Sequence, residues 1–440
     1  MKIALCKSSF AGPVSGADEI MLNYAVSLHQ AGHEVTVVLL YPPAVDDQYL
    51  RRLQRNGVLV TPVIARSYLF GLLRALRNVF SSVLFFLFLL RSAPERLRKI
   101  WQAALNFISQ LHYRDCRAYF ARTRPDLLHV FTPDTGASMM IRAGHELAIP
   151  VLYHEMGTPH HLPLLDNYYR RLERVLPLCT EVAALSPRLA SDWEVRFPFL
   201  PIVSVLPLIM ERANTFDLGV QTQTDRKQTV FGFAARLEEG KGPLVLLDAL
   251  KQVNSEQPTA IARIAGVGAQ LAEAKARARE LALDGTCEFV GVYSEPLGRS
   301  AFMNSLDVFV LPSLAEGTPN GVVEAMACGI PIIASDVGGI ADMIGDDAGL
   351  LVPAGDATAL AAAMRRLAQD AELRERMSQS AQARYQQLFS PKVVVPLLID
   401  TYHRVTANGT RPGVAGNGNL HPWAASDAAK ASERGRAVAD

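Results

Sequence analysis

Between Asp307 and Ala334 the chain runs through a short apolar stretch, a loop broken by glycine and proline, a helical stretch and a second apolar stretch. Asp307 to Pro312 (DVFVLP) reads as a buried strand that ends at proline, and Ile332-Ile333-Ala334 opens the next one. Gly317, Pro319 and Gly321 force an irregular loop, Val322 to Cys328 restarts as a helix, and Gly329-Ile330-Pro331 stops it. Two apolar strands joined through a helix are built for a parallel sheet covered on both faces. The loop then lies at the carboxyl end of a strand and at the start of a helix, where free amides and the positive end of the dipole suit a phosphate. Asn320 is the expected N-cap. Glu316 in the loop and Glu324 on the helix frame the site, and a carboxylate can hold a vicinal diol by accepting two hydrogen bonds. A plainer reading stays open beside it: Glu324 complements the helix dipole and Glu316 is solvated.

The same alternation fills the rest of the chain. Lys2 to Cys6 is a strand, SSFAGPVSGADE a loop containing Gly12 and Gly16, Ile20 to Gln30 a helix, and Val35 to Leu40 a second strand. No GxGxxG fingerprint is present and no acid closes the second strand, which argues against an NAD-dependent dehydrogenase. Gly16 lets backbone approach a ligand closely, or it serves a plain strand-to-helix turn. Further strands are expected at Val58–Val63, Asp126–Phe131, Pro150–His154, Glu181–Leu185 and Ile202–Leu206, with helices at Ser138–Leu147 and Pro187–Val195. Residues 213–228 turn polar and lose periodicity, as a linker does. A second series follows, with strands at Thr229–Ala234, Ala260–Ala265, Cys287–Val290 and Leu350–Val352 and one long helical stretch from Ala357 to Phe389. The predicted fold class is α/β: two Rossmann-like doubly wound parallel sheets, 1–212 and 229–390, facing a central cleft. A closing helix is expected at 391–405 and a disordered tail at 406–440.

Composition narrows the function. A net charge of +1 gives no reason to expect nucleic acid, and 440 residues suffice for two such domains. Five scattered cysteines, never CxxC, fit a reducing compartment with neither disulfide framework nor zinc site. MKIALC runs into Lys7 and Ser8, too short for a signal-peptide core, so the expected location is cytoplasmic. Residues 66–124 break the alternation, with eleven arginines and lysines against Glu95 and Asp115. Inside them Val79 to Leu90 (VFSSVLFFLFLL) is apolar but short of the ~20 residues a spanning helix needs. This insertion reads as an interfacial helix touching an anionic membrane through 69–99, or as a helical hairpin packed on protein.

Other loops carry candidate chemistry. In GFAARLEEGKG (232–242), Arg236 and Lys241 bracket a tight turn after a strand and form an anion clamp, or are two surface cations. His154 ends a strand beside Gly157, where it can meet a ligand or bond backbone. Gly266-Val267-Gly268 is a weaker sign of a phosphate or base passing close to backbone.

Taken together these motifs resemble the family 4 glycosyltransferases, retaining enzymes of GT-B fold. The resemblance is carried by GFAARLEEGKG, by Glu316-x7-Glu324 within EGTPNGVVEAMACGIPIIASDVGG, by FVG at 289–291 and by AGPVSGADE. It implies that Arg236 and Lys241 hold a donor diphosphate, Glu324 the ribose hydroxyls and Glu316 the transferred sugar. Backbone at Thr318, Pro319, Asn320 and Gly321 would touch sugar and phosphates. Gly266, Gly268, Val290 and Gly291 would lie along the donor, Gly16 would approach it from the other domain, and His154 matches the family's active-site histidine. The implied protein transfers a sugar from a nucleotide-diphosphate-sugar to a sugar or lipid-linked acceptor at the inner membrane face, without metal or cofactor. Two rivals are a GT-B nucleotide-sugar epimerase or hydrolase, and a non-catalytic nucleotide-sugar-binding subunit.

Overall fold

The computed structural model describes residues 1–10, 15–64, 95–131, 135–157, 166–200, 203–210, 228–255, 259–292 and 296–409. In chain order the described elements begin β1 (Lys2–Lys7), α1 (Gly16–Gln30), β2 (Glu34–Leu39), α2 (Gln48–Arg55), β3 (Leu59–Pro62), α3 (Glu95–Thr123), β4 (Leu127–Phe131) and α4 (Thr135–Glu146). They continue with β5 (Val151–Glu155), α5 (Asp166–Val175), β6 (Glu181–Ala184), α6 (Pro187–Arg196) and β7 (Val203–Val205). After residue 228 come β8 (Thr229–Ala234), α7 (Pro243–Val253), β9 (Ala260–Ala265), α8 (Leu271–Glu280), β10 (Cys287–Gly291), α9 (Pro296–Met303), β11 (Val308–Leu311) and α10 (Asn320–Ala327). The series closes with β12 (Ile332–Ser335), α11 (Ile340–Ile344), β13 (Gly349–Val352), α12 (Ala357–Gln369), α13 (Ala371–Leu388) and α14 (Pro391–Asn408).

Both expected sheets form. The first has seven strands in the order β3-β2-β1-β4-β5-β6-β7, the second six in the order β10-β9-β8-β11-β12-β13. Pairing is parallel in both, for example Ile3 with Val35 and Phe309 with Ile332. The central strands are apolar on both faces because helices cover both sides, and β4, β5, β11 and β12 are buried at every position. Strand order reverses between β1 and β4 in one sheet and between β8 and β11 in the other. At such a reversal the connections leave in opposite directions and open a crevice beyond the carboxyl ends of the strands.

The chain packs as two compact units, one comprising Met1–Tyr153, Pro163–Glu181 and the end of α14 from Arg404, the other His154–Leu162 and Val182–His403. The first unit's polar interior includes Lys7 Nζ donating to Asp18 Oδ1, both side chains buried, and a two-pronged bond from Arg52 to Glu19 at 2.6 and 2.7 Å.

Three expectations need correction. The basic segment 66–124 is not wholly an insertion. Its end is α3, in which Tyr113, Cys116 and Phe120 are buried at helical spacing while Arg114, Arg117 and Arg122 lie exposed. The single helix expected over 357–389 is two, because Asp370 is extended (φ −110, ψ 91) and its carboxylate accepts from Leu373 N at 2.7 Å. The expected disordered tail starts later than 406, since α14 runs to Asn408. The apolar run 79–90, the proposed membrane contact up to residue 94, linker residues 213–227 and residues 410–440 lie outside the described residues. No described helix is long and apolar enough to cross a membrane.

Candidate functional site

Lys241 ends a short 3-10 turn (Glu239–Lys241) after β8, and Glu316 lies in the loop after β11, the two strands flanking the reversal of the second sheet. Lys241 Nζ donates to Glu316 Oε1 at 2.7 Å, and the same oxygen accepts from Ser313 Oγ, also at 2.7 Å. The turn is clamped in place. Leu314 N donates to Gly240 O at 2.9 Å, and Gly242 adopts φ +68 where an added Cβ would stand 2.1 Å from Pro312 O. Only glycine meets both demands there. Lys241 keeps 23% of its side-chain surface accessible while Glu316 keeps 6%, so the lysine is the more exposed member of the pair.

Glu324 stands one turn into α10 and its Oε1 accepts from Arg299 Nη1 at 2.9 Å. Arg299 comes from α9, on the far side of β11 in sequence. The four groups expected around one ligand lie in different partnerships: Lys241 with Glu316, Glu324 with Arg299, and Arg236 exposed and bonded to Glu238 at 2.9 Å.

The start of α10 differs from expectation. Pro319 (φ −71, ψ 126) occupies the N-cap, Asn320 is the first helical residue, and no side chain caps the helix. Proline's fixed φ suits an extended cap, so the turn begins one residue ahead of the position that Asn320's preference would choose. With no side-chain cap at this end, the positive end of the helix dipole is the local charge that favours an anion. Gly321 fits tightly, with an added Cβ 3.1 Å from Phe309 Cζ. Thr318 is buried, and its Oγ1 has no hydrogen-bond partner among the described residues.

Gly266, Gly268, Val290 and Gly291 gather at the same edge. Gly266 N donates to Gly291 O at 2.7 Å, joining the loops after β9 and β10. An added Cβ at Gly266 (φ +141) would lie 1.9 Å from Ala235 O, and one at Gly268 2.3 Å from Leu237 O, which seats both against the loop carrying Arg236. Val267, Val290 and Val292 are exposed there, an apolar fringe beside the charged groups.

His154 is wholly buried near the end of β5, and burial pushes its imidazole down to about 3 against a weaker upward pull from a backbone hydrogen bond with Leu206. It is neutral near pH 7. The following loop presses on the Glu316 loop, since an added Cβ at Gly317 would lie 2.3 Å from Met156 O. Gly16 opens α1 in the first unit, where Ser15 is the N-cap and its Oγ accepts from Asp18 N at 3.3 Å. Sequence reasoning missed Arg299 and Ser313. The serine is visible as a polar neighbour three residues before Glu316, whereas the arginine is 25 residues from Glu324 and gave no local signal. Among the described residues no three His, Cys, Asp or Glu side chains gather as a metal-ligand set.

Residues 217–384 match the family model described as glycosyl transferases group 1, and residues 15–194 the glycosyl transferase 4-like domain. The D-inositol 3-phosphate glycosyltransferase of Jonesia denitrificans is 32% identical over 184 residues, 40% of this chain and 42% of that protein. The phosphatidyl-myo-inositol mannosyltransferase of Mycolicibacterium smegmatis is 28% identical over 323 residues, 72% of this chain and 81% of that one. The chain thus spans less than half the length of the first of these relatives. Among solved structures, Anabaena HepE in complex with UDP superposes with a TM-score of 0.67 at 19% identity, covering 92% of this chain and 100% of that one, a likeness of fold.

Proposed function

The chain belongs to the family 4 glycosyltransferases and has the GT-B fold, and on that premise we propose that it transfers a sugar from a nucleotide-diphosphate-sugar to an acceptor hydroxyl with retention of configuration. The observation that carries this reading is the Lys241–Glu316 contact at the reversal of the second sheet, a reachable cation held beside an acid. In the proposed step the bond between the sugar's anomeric carbon and the diphosphate oxygen breaks, and negative charge builds on the departing phosphate. Lys241, Arg236 and the uncapped amides of α10 face that charge, and each fixed donor of this kind contributes roughly 3 kcal/mol to the transition state. The acceptor hydroxyl attacks from the face the phosphate leaves, and its proton passes to a phosphate oxygen. Glu316 holds sugar hydroxyls and Glu324 the ribose, while the loops at 266–268 and 290–291 border the nucleoside. This positive field does the work a metal ion does elsewhere, so turnover should be unchanged by EDTA.

For the acceptor we propose a glycolipid or polysaccharide precursor at the cytoplasmic membrane face. The names of the two inositol-directed relatives support this class, as does the basic and apolar composition of 69–99. The test is incubation with a panel of UDP-, GDP- and ADP-sugars, following slow donor hydrolysis, which needs no acceptor. One donor should be consumed with its anomeric configuration kept in the released sugar's first NMR spectrum. Glu316→Ala should lower the rate about 10²-fold. A protein that consumes none of these donors, or that inverts the anomeric centre, would defeat the proposal.

A further inference from the structure

Arg299 has no place in the chemistry described so far, yet it holds the Glu324 carboxylate: Arg299 Nη1 donates to Glu324 Oε1 at 2.9 Å, with side-chain accessibilities of 24% and 9%. We infer that Arg299 is a positioning residue for the nucleotide's ribose, acting through Glu324, an inference that rests on the reading of Glu324 as the ribose-binding acid. Three features carry it. First, a glutamate has three rotatable bonds, and one held at 2.9 Å by a planar guanidinium from a different helix has its carboxylate oriented before any ligand arrives. Second, a carboxylate offers about four lone-pair sites, so one oxygen can serve the guanidinium while the group still accepts from two hydroxyls. Third, Glu324 is the sole acidic residue of α10 (NGVVEAMA), so this contact is the one that helix can offer a cation through a carboxylate.

Placement adds to this. Arg299 lies on α9, the helix that follows the strand ending in Val290 and Gly291. A single connection thus supplies the apolar fringe at Val290 and Val292 and the cation that holds the acid.

The partner acid separates this role from a purely structural one. Binding of UDP, GDP and ADP to the full chain is measured by calorimetry, and the tightest of the three is compared with its 2′,3′-dideoxy form. Arg299→Gln should weaken the ribose-bearing nucleotide roughly tenfold, the worth of one hydrogen bond to a charged group. The same substitution should change affinity for the dideoxy nucleotide, or for the ribose form in a Glu324→Gln background, less than about twofold. Arg299→Lys should recover part of the loss. With the consumed donor sugar, Arg299→Gln should raise KM by the same factor and leave kcat within about twofold, as loss of uniform binding does.

An equal loss on ribose and dideoxy nucleotides would overturn the inference, because the arginine would then be supporting the fold. So would an unchanged affinity. If Glu324→Gln itself binds both forms like wild type, the ribose reading of Glu324 falls and the inference with it. If none of the three nucleotides binds the wild-type chain, the donor reading fails instead, which is a separate result.

Discussion

Both sheets place a lysine near the carboxyl end of their first strand in sequence and an acid opposite it, and the two pairs have opposite characters. Lys7 is the last residue of β1, and its pair with Asp18 on α1 is sealed, with side-chain accessibilities of 5% and 0%. Lys241 lies beyond β8 in a turn between glycines, and its side chain stays 23% accessible opposite Glu316. The difference comes from where the backbone leaves the sheet. A lysine inside a strand is flanked by neighbouring strands and helices, so its charge must be matched internally. A lysine on a glycine-bounded turn projects past the sheet edge and keeps its charge available. The sealed pair supports structure, and the open one is the pair proposed to meet the donor.

The largest effect should come from breaking the sealed pair. Asp18→Ala leaves a buried ammonium without its acid and should cost about 3–5 kcal/mol in urea unfolding, whereas Lys7→Met with Asp18→Leu should recover most of it. A loss below about 1 kcal/mol for Asp18→Ala would show that the pair is solvated, as exposed pairs are. Next in size is Lys241→Ala, for which donor hydrolysis should fall about 10²-fold while unfolding free energy drops by less than about 2 kcal/mol. A variant that unfolds as readily as Asp18→Ala and turns over donor like wild type would erase the contrast between the pairs.

The smallest effect concerns a buried group that solves the same problem by staying neutral. Unfolded His154 takes up a proton near pH 6.5, whereas in the folded chain burial holds it neutral to about 3. Stability from this residue is therefore complete above pH 6.5 and is lost as pH falls toward 3. Between pH 7 and pH 5 the loss should be about 2 kcal/mol more in wild type than in His154→Gln, read from urea midpoints. Equal losses in the two proteins would mean that the imidazole is charged or hydrated in the folded chain.

Much of the second unit was legible beforehand. Thr229–Ala234 and Ala260–Ala265 are strands with the expected bounds, because continuous apolar runs between glycine-rich loops have few other uses in a chain this long. Gly266 and Gly268 were read as places where a phosphate or base passes close to backbone, and in the fold each is pressed against backbone of the loop carrying Arg236. The α3 helix was less legible, since a run of arginines hid the buried spacing of Tyr113, Cys116 and Phe120. The start of α10 was misplaced by one residue because proline's fixed backbone angle outweighed asparagine's capping preference.

What the sequence determined by itself was the succession of strands, loops and helices, and which loops are rich in glycine, cations and acids. These are local properties, set by periodicity and by backbone freedom within a few residues. Which cation meets which acid was decided only by tertiary structure. Lys241 reaches Glu316 because β8 lies beside β11, and Arg299 on α9 reaches Glu324 on α10 across 25 residues of chain. Strand neighbours are chosen by how the crossovers wind, and side-chain partners follow from that winding.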